Sequence, residues 1–194
     1  LVRSRGLGDV YKRQIMKKPF ALASFMLVLL AGYAAASQPS SPPASAAQKL
    51  KVAPEESLAM IVPANGVQIY ECRASQGQAG NYEWAFVGPE ADLFDTRGMK
   101  IGRHYAGPHW EANDGSKIVG LVKASTVAPD GGAIPWLLLG AKSVGPAGTF
   151  SNVSSVRRVH TKGGVAPDNG CSAAAAGTRA RVPYTADYYF FTRD

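Results

Sequence analysis

The most constraining feature of this sequence is a series of short alternating stretches separated by glycine and proline. In residues 82–86, the rings of Tyr82, Trp84 and Phe86 alternate with smaller or polar side chains, which places them on one face of a strand. The chain of 194 residues contains 21 glycines and 13 prolines, and its sequence after Ala47 shows no sustained helical periodicity. This pattern predicts a single all-β domain, either an antiparallel β-sandwich or a β-barrel.

Other stretches of strand-like composition continue the pattern along the chain. They are residues 67–72, 99–105, 117–123, 136–141, 153–161 and 184–192. Asp114-Gly115 precedes one of them and is typical of a hairpin turn, because glycine readily adopts the positive φ that such turns require. The four alanines at 173–176 lie between Gly170 and Gly177, and they are too few for a stable helix, so we predict a loop there.

The first residues of the chain are predicted to lie outside the folded domain. Residues 1–15 resemble a translated transposase mosaic end from a sequencing library, and we interpret them as an adapter artefact. From Met16, two lysines precede an apolar stretch and the small residues Ala34–Ala36. This arrangement predicts a secretory signal peptide over residues 16–36, because the apolar stretch is shorter than the roughly 20 residues that a membrane-spanning helix needs.

A polar leader follows the predicted signal. Residues 37–50 are rich in proline, serine and alanine, and such a segment buries too little apolar surface to fold, so we predict that it is disordered. The folded domain is then expected to span residues 51–194. We expect a secreted or periplasmic protein with no stable membrane insertion after signal cleavage.

The charge distribution argues against a nucleic-acid-binding protein. The formal net charge is +7, but residues 1–18 contain six basic and one acidic side chain, which leaves 15 basic and 13 acidic side chains, or +2, for the rest. A nearly balanced domain lacks the basic surface that binds phosphate backbones. We therefore expect no nucleic-acid partner.

The two cysteines of the chain, Cys72 and Cys171, are predicted to form a disulfide. An even number of cysteines in an exported chain favours a structural bridge. A reactive thiol or a metal ligand is the alternative, but neither residue has the basic or ligand-rich sequence neighbourhood that such a role requires. The bridge would connect the strand at 67–72 to the loop at 163–177.

Five ordered motifs carry a resemblance to a known family. They lie at residues 66–72, 107–116, 134–138, 161–167 and 182–188. Together they resemble the successive motifs of domain of unknown function 3455, a family of exported proteins of bacteria and fungi, over about Val52 to Phe191. The resemblance implies an exported β domain and implies no particular activity. Two positions differ from the family pattern: His109 stands where threonine is usual, and His160 where asparagine is usual.

The most suggestive group of polar and aromatic side chains lies between residues 104 and 114. It consists of His104, Tyr105, His109, Trp110, Glu111 and Asp114. A ligand could bind at this rim of the domain, with the Trp110 ring stacked on a sugar. Alternatively, Glu111 and Asp114 could form the carboxylate pair of a glycosidase. The alternative is that these residues have only structural roles. Trp110 would then pack in the core, Asp114 would begin a tight turn, and Glu111 would be solvated.

A zinc site in this segment is not favoured. Such a site needs three converging ligands, and the odd spacing of His104 and His109 sends their side chains to opposite faces of a regular strand. Only a bend at Gly107-Pro108 would bring them together. We therefore expect neither a metal nor another cofactor.

The aromatic stretch near the C-terminus is predicted to be a central strand. One of its faces would carry Tyr184, Ala186, Tyr188 and Phe190, and the other Asp187, Tyr189 and Phe191. If one face lined a ligand cavity, Arg158 and Asp187 would be candidates for a polar pair inside it, because a buried charge without a partner is costly.

Three functions remain open from the sequence. The first is a domain that binds a small or saccharide-like ligand with residues between His104 and Asp114, together with Arg158 and Asp187. The second is a hydrolase or isomerase that uses His104, Glu111 and Asp114 as acid and base. The third is a structural domain of the cell envelope. Convergent polar groups around His104 in a cavity of about 300 Å³ or more would favour the first two, and a filled interior would favour the third.

Overall fold

The computed structural model describes residues 48–78 and 80–193. The eight strands of this part are β1 (Glu56–Ala74), β2 (Tyr82–Phe94), β3 (Lys100–Tyr105), β4 (His109–Ala112), β5 (Lys117–Thr126), β6 (Trp136–Ser143), β7 (Val153–Gly163) and β8 (Arg179–Arg193). They follow one another around a closed antiparallel barrel, in which β8 pairs with β1. The predicted all-β class is confirmed, and of the two predicted architectures the structure has the barrel.

The predicted strands agree with seven of these eight elements, with one residue, Met99, falling just before β3. The four-residue strand β4 was not predicted. The run of alanines contains a single 3-10 turn, Ala173–Ala175, within the predicted loop. The predicted adapter, the signal peptide and residues 37–47 of the leader lie outside the described residues.

The interior of the barrel is formed by residues that alternate along each strand. On β8, Tyr184, Ala186, Tyr188 and Phe190 are all buried in one cluster with residues of the other strands. The four residues that the alternation assigned to one face of this strand therefore form the inward face of β8. Such alternation is expected when a sheet closes on itself, because every second side chain must enter the enclosed volume.

Trp110 on β4 fills the middle of the barrel, and a glycine makes room for it. A Cβ atom placed on Gly120 of β5 would lie 2.8 Å from the Trp110 ring and 3.1 Å from the Leu139 side chain. Any larger residue at position 120 would therefore displace the tryptophan. The Trp110 ring also contacts Tyr188 and Phe190 edge to face, at centroid distances of 5.4 and 6.3 Å.

The barrel end that contains the β4–β5 turn is filled with side chains, and we call it the filled end. Phe150, in the β6–β7 loop, is completely buried, and its ring lies 5.0 Å from that of Phe190. Asp114 fixes this loop by accepting hydrogen bonds from the backbone N–H and hydroxyl of both Ser116 and Thr149. These bonds, with the Ser116 hydroxyl contributing most, lower the pKa of Asp114.

The opposite end contains the β3–β4 turn and a cavity, and we call it the cavity end. Its longest loop, between β7 and β8, is attached to β1 by a disulfide and by hydrogen bonds. Cys171 forms a disulfide with Cys72, which confirms the predicted pairing. The hydroxyl of Tyr70 donates a hydrogen bond to the Gly164 carbonyl at 2.7 Å.

A second, smaller apolar cluster is separate from the one inside the barrel. It contains Leu50, Ala128, Trp136, Leu138 and Val159. Leu50 is 1% exposed, so packing begins one residue before the predicted domain boundary at residue 51. Within the described ranges, no helix has the length and apolar character needed to cross a membrane.

Candidate functional site

An interior cavity of about 220 Å³ opens at the cavity end of the barrel. Its wall combines apolar side chains with a few polar ones. The lining residues are Gln68, Phe86, Val87, Gly88, Pro89, His104, Gly107, Pro108, Trp110, Val122, Leu137, Leu139, Arg158 and Tyr188. Its volume is below the roughly 300 Å³ that we expect for a ligand-binding cavity and that is the lower limit for drug-sized ligands, so it suits only a smaller molecule.

His104 forms part of the inner wall as a neutral ring. It is 3% exposed and stacks on Trp110, with ring centroids 4.4 Å apart and planes at 14°. Burial lowers its pKa to about 3, although the hydrogen bond to the His109 carbonyl opposes this shift. Because a carbonyl oxygen can only accept, the Nδ1 atom of His104, 2.7 Å from that oxygen, carries the ring proton. The Nε2 atom is then an acceptor.

Arg158 on β7 brings a positive charge to the cavity. It lies opposite Tyr188 in the β7–β8 register, so both side chains face the interior. Its Nε and Nη2 atoms donate to the Pro135 carbonyl at 3.1 and 2.8 Å. No carboxylate of the described residues forms an ion pair with it. The guanidinium carries a positive charge, so the cavity wall contains a cation that has no carboxylate partner among the described residues.

Gln68 contributes an amide with an unsatisfied donor. Its side chain is 2% exposed, and its buried Nε2 atom has no hydrogen-bond partner among the described residues. The indole Nε1 of Trp110 is likewise buried and unpartnered. A buried donor without a partner costs about 1–3 kcal/mol, and most such groups in folded proteins bind protein atoms or water. These groups therefore mark a place where a bound molecule would be stabilised.

The tyrosines beside the cavity are held in their neutral form. Burial raises the pKa of Tyr188, and Arg158 opposes this shift through its charge and a hydrogen bond. The Tyr188 and Tyr184 hydroxyls lie 3.3 Å apart, and burial also raises the pKa of Tyr184. The cavity wall is therefore neutral apart from Arg158.

Only three of the predicted site residues line this cavity, namely His104, Trp110 and Arg158. Tyr105 and Glu111 lie on the outer surface, where the Tyr105 hydroxyl donates to Glu111 at 2.7 Å and Arg103 donates to the same carboxylate at 2.9 Å. Since Trp110 points inward, its strand neighbour Glu111 must point outward.

Asp114 and Asp187 also lie away from the cavity. Asp114 belongs to the filled end, so His104, Glu111 and Asp114 do not form one acid–base group. The polar pair predicted between Arg158 and Asp187 differs from the observed contacts, because Asp187 opposes Val159 in the register and accepts a hydrogen bond from His160 at 2.9 Å. Arg158 binds the Pro135 carbonyl instead.

The sequence interpretation did not single out Gln68. A signal was present, because Val62, Ala64 and Gln68 share one parity on β1 and all three are buried. A polar residue at an inward position of a strand is a candidate for a cavity wall. No such signal marked Phe86 and Pro108 as lining residues of the cavity, because their position there depends on pairing between distant strands.

A larger, open groove of about 630 Å³ crosses the outer face of β1, β2, β3 and β8. Its charged side chains are paired: Arg181 with Glu90 at 2.6 Å, and Arg103 with Glu111 at 2.9 Å. The described residues contain no group of three histidine, cysteine or carboxylate side chains placed to hold a metal ion. The unpaired groups make the interior cavity the stronger candidate for a binding site.

The family comparison agrees with this structure. Residues 53–192 match the family described as "Protein of unknown function (DUF3455)". The chain belongs to this family. The match covers all eight strands of the DUF3455 domain except the last residue of β8, and it includes both cysteines and every residue that lines the cavity. A search of curated proteins finds no match.

Proposed function

We propose that this DUF3455 domain is an exported protein that binds a small molecule inside its barrel. The observation that carries the proposal is a cavity wall that contains the buried amide of Gln68, whose Nε2 has no partner, and the guanidinium of Arg158, whose hydrogen bonds go to neutral acceptors and not to a carboxylate. Groups of this kind are normally compensated. A ligand would supply the missing acceptors.

The shape of the site supports entry from the cavity end. Phe86 and Val122 line the cavity and are 56% and 52% exposed, so they form an apolar mouth. Below them, Leu137 and Leu139 continue the apolar wall toward His104. Few polar groups in an otherwise apolar cavity are typical of small-molecule sites.

The geometry favours binding within the cavity over sugar stacking on Trp110. The Trp110 ring is 1% exposed, His104 covers one of its faces, and Gly120 lies against it. The Trp110 ring therefore has no exposed face on which a sugar could stack. Export is supported by the Cys72–Cys171 disulfide, since such bridges persist mainly in oxidising compartments.

The experiment compares two neighbouring substitutions on β5. Val122→Trp places a large ring at the cavity mouth, whereas Leu121→Trp adds the same ring at a position that is 76% exposed and lines an outer groove. Thermal unfolding of the full chain is measured with a panel of small carboxylates, alcohols, amides and monosaccharides. We expect at least one compound to stabilise the wild type and Leu121→Trp but not Val122→Trp.

Two results would contradict the proposal. One is that no compound in the panel stabilises the wild type. The other is that every stabilising compound acts equally on Val122→Trp and Leu121→Trp, which would place its binding outside the cavity.

A further inference from the structure

The charge of the cavity restricts what it can bind. Its lining contains one charged side chain, Arg158, and no aspartate, glutamate or lysine. His104 is neutral, since Nδ1 donates to a carbonyl and burial keeps a second proton off the ring. An anion with a single charge would neutralise the site, whereas a neutral ligand would leave the cation uncompensated and a dianion would bury an excess negative charge.

Arg158 differs from the other arginines of the described domain. Six of them pair with a carboxylate: Arg73, Arg97, Arg103, Arg179, Arg181 and Arg193. Arg157 instead stacks on the rings of Tyr189 and Phe191 on the outer face of the barrel. Arg158 has neither a carboxylate nor an aromatic face, and its hydrogen-bond partners, the Pro135 carbonyl and the Tyr188 hydroxyl, are neutral.

The second donor in the wall is the amide of Gln68, which is 98% buried and unpartnered at Nε2. A guanidinium and an amide together offer N–H donors to the two oxygens of a carboxylate, the anion whose planar geometry arginine matches best. The remaining wall, formed by Val122, Leu137 and Leu139, is apolar. The ligand must therefore combine one anionic head with an apolar body.

The cavity volume sets the size of that body. A volume of about 220 Å³ equals that of about seven water molecules at about 30 Å³ each. We propose that the cavity binds small monocarboxylates with a short apolar body, with the carboxylate held by Arg158 and Gln68 and the body packed against the apolar wall. This inference depends on the proposed function, since it assumes that the cavity binds a ligand.

The test uses a matched pair of probes, hexanoate and hexanamide, which have the same chain and differ in the charge of the head. Binding to the full-length protein is measured by calorimetry at pH 7 and low salt. We expect hexanoate to bind at least 10-fold more tightly than hexanamide, because charge-assisted hydrogen bonds are stronger than neutral ones. Hexyl phosphate is expected to bind more weakly than hexanoate.

Substitutions of adjacent arginines provide the control. We expect Arg158→Gln to weaken hexanoate binding at least 10-fold and to change hexanamide binding less than 3-fold. Arg157→Gln removes a charge next to it in sequence but on the outer face of the barrel, and it should leave both affinities unchanged. The comparison of the two probes on the wild type needs no variant, so it remains informative if Arg158→Gln fails to fold.

The outcomes separate this inference from the proposed function. If hexanamide binds as tightly as hexanoate and Val122→Trp blocks both, the cavity binds ligands but the assignment to carboxylates is wrong. If hexyl phosphate binds more tightly than hexanoate, the single-charge argument is wrong. If neither six-carbon probe binds, the inference is overturned, and the wider panel then decides whether the proposed function is overturned with it.

Discussion

The two ends of the barrel differ in how their loops and interiors are stabilised. At the filled end, Phe150 and Phe190 complete the packing, and the four hydrogen bonds to Asp114 hold the covering loop. At the cavity end, the interior contains Gln68 and Arg158 around an unfilled volume, and a disulfide holds the loop above it. The difference indicates that apolar packing stabilises one half of the domain while cross-links allow the other half to keep a cavity.

Removal of the disulfide should produce the largest change, and it tests how the cavity end is stabilised. The bridge joins residues separated by 99 positions. A loop of this length corresponds to about 4–5 kcal/mol in the chain-entropy description. We expect the double variant Cys72→Ala, Cys171→Ala to lose most of this free energy of unfolding in urea titrations. Reduction of the wild type is the control, and an unchanged urea midpoint in both cases would contradict the prediction.

Truncation of Phe150 tests the filled end. Its side chain is completely buried against Phe190, so we expect Phe150→Ala to lower the free energy of unfolding by about 3–5 kcal/mol. Val122→Ala at the cavity mouth removes a half-exposed side chain and should cost less than about 1 kcal/mol. Similar losses for the two variants in urea titrations would show that the two ends are packed alike.

The pH dependence of stability reports on His104 beside the cavity. Burial lowers its pKa from 6.5 to about 3, so the unfolded chain binds a proton more readily than the folded domain. The part of the free energy of unfolding that depends on a neutral His104 is fully present above pH 6.5 and is lost as the pH falls toward 3. Between pH 7 and pH 5 this group should cost the wild type about 2 kcal/mol of unfolding free energy.

His104→Phe keeps an aromatic ring beside Trp110 and removes the titrating group. The variant should therefore lose much less stability than the wild type over the same pH interval, even if it is less stable at pH 7. His160→Asn is the control variant, because it replaces a histidine that does not line the cavity. An equal pH dependence of the wild type and His104→Phe would argue against a neutral, buried His104.

The smallest expected effect concerns a bulge in β7 beside the cavity end. Between the pairs Val159–Asp187 and Lys162–Thr185, two residues of β7 oppose one residue of β8, and His160 adopts a φ of 50°. Asparagine tolerates this conformation, whereas a β-branched residue does not. We expect His160→Val to be less stable than His160→Asn by about 1–2 kcal/mol in urea titrations. Equal stability would contradict a strained backbone at this position.

The sequence predicted the strands well because their alternation is local. Tyr82–Phe86 and Tyr184–Phe190 have an unambiguous period of two, and they lie in β2 and β8. Closure into a barrel was not decided by the sequence, because it depends on the ladder between β1 and β8, whose partners lie more than 100 residues apart. The short strand β4 offers too few residues for its alternation to be recognised.

The candidate site was predicted only in part for a related reason. Residues 104–114 were treated as one rim, but β4 runs from the cavity end back toward the filled end, so His104 and Asp114 belong to different ends of the barrel. Alternation on β4 then separates Trp110 from Glu111. Arg158 lines the cavity, while its predicted partner Asp187 points outward because the β7–β8 register pairs it with Val159.

The pairing of β8 with β1 closes the ring of strands, but the ring is not paired along its whole length. In the described sheet every strand has a neighbour on both sides, yet β3 and β4 are so short that residues 82–89 of β2 and 121–126 of β5 are paired on one side only. Unpaired edges are where sheets recruit additional strands. These two stretches are therefore the places in the described sheet where an added strand would find free backbone N–H and C=O groups.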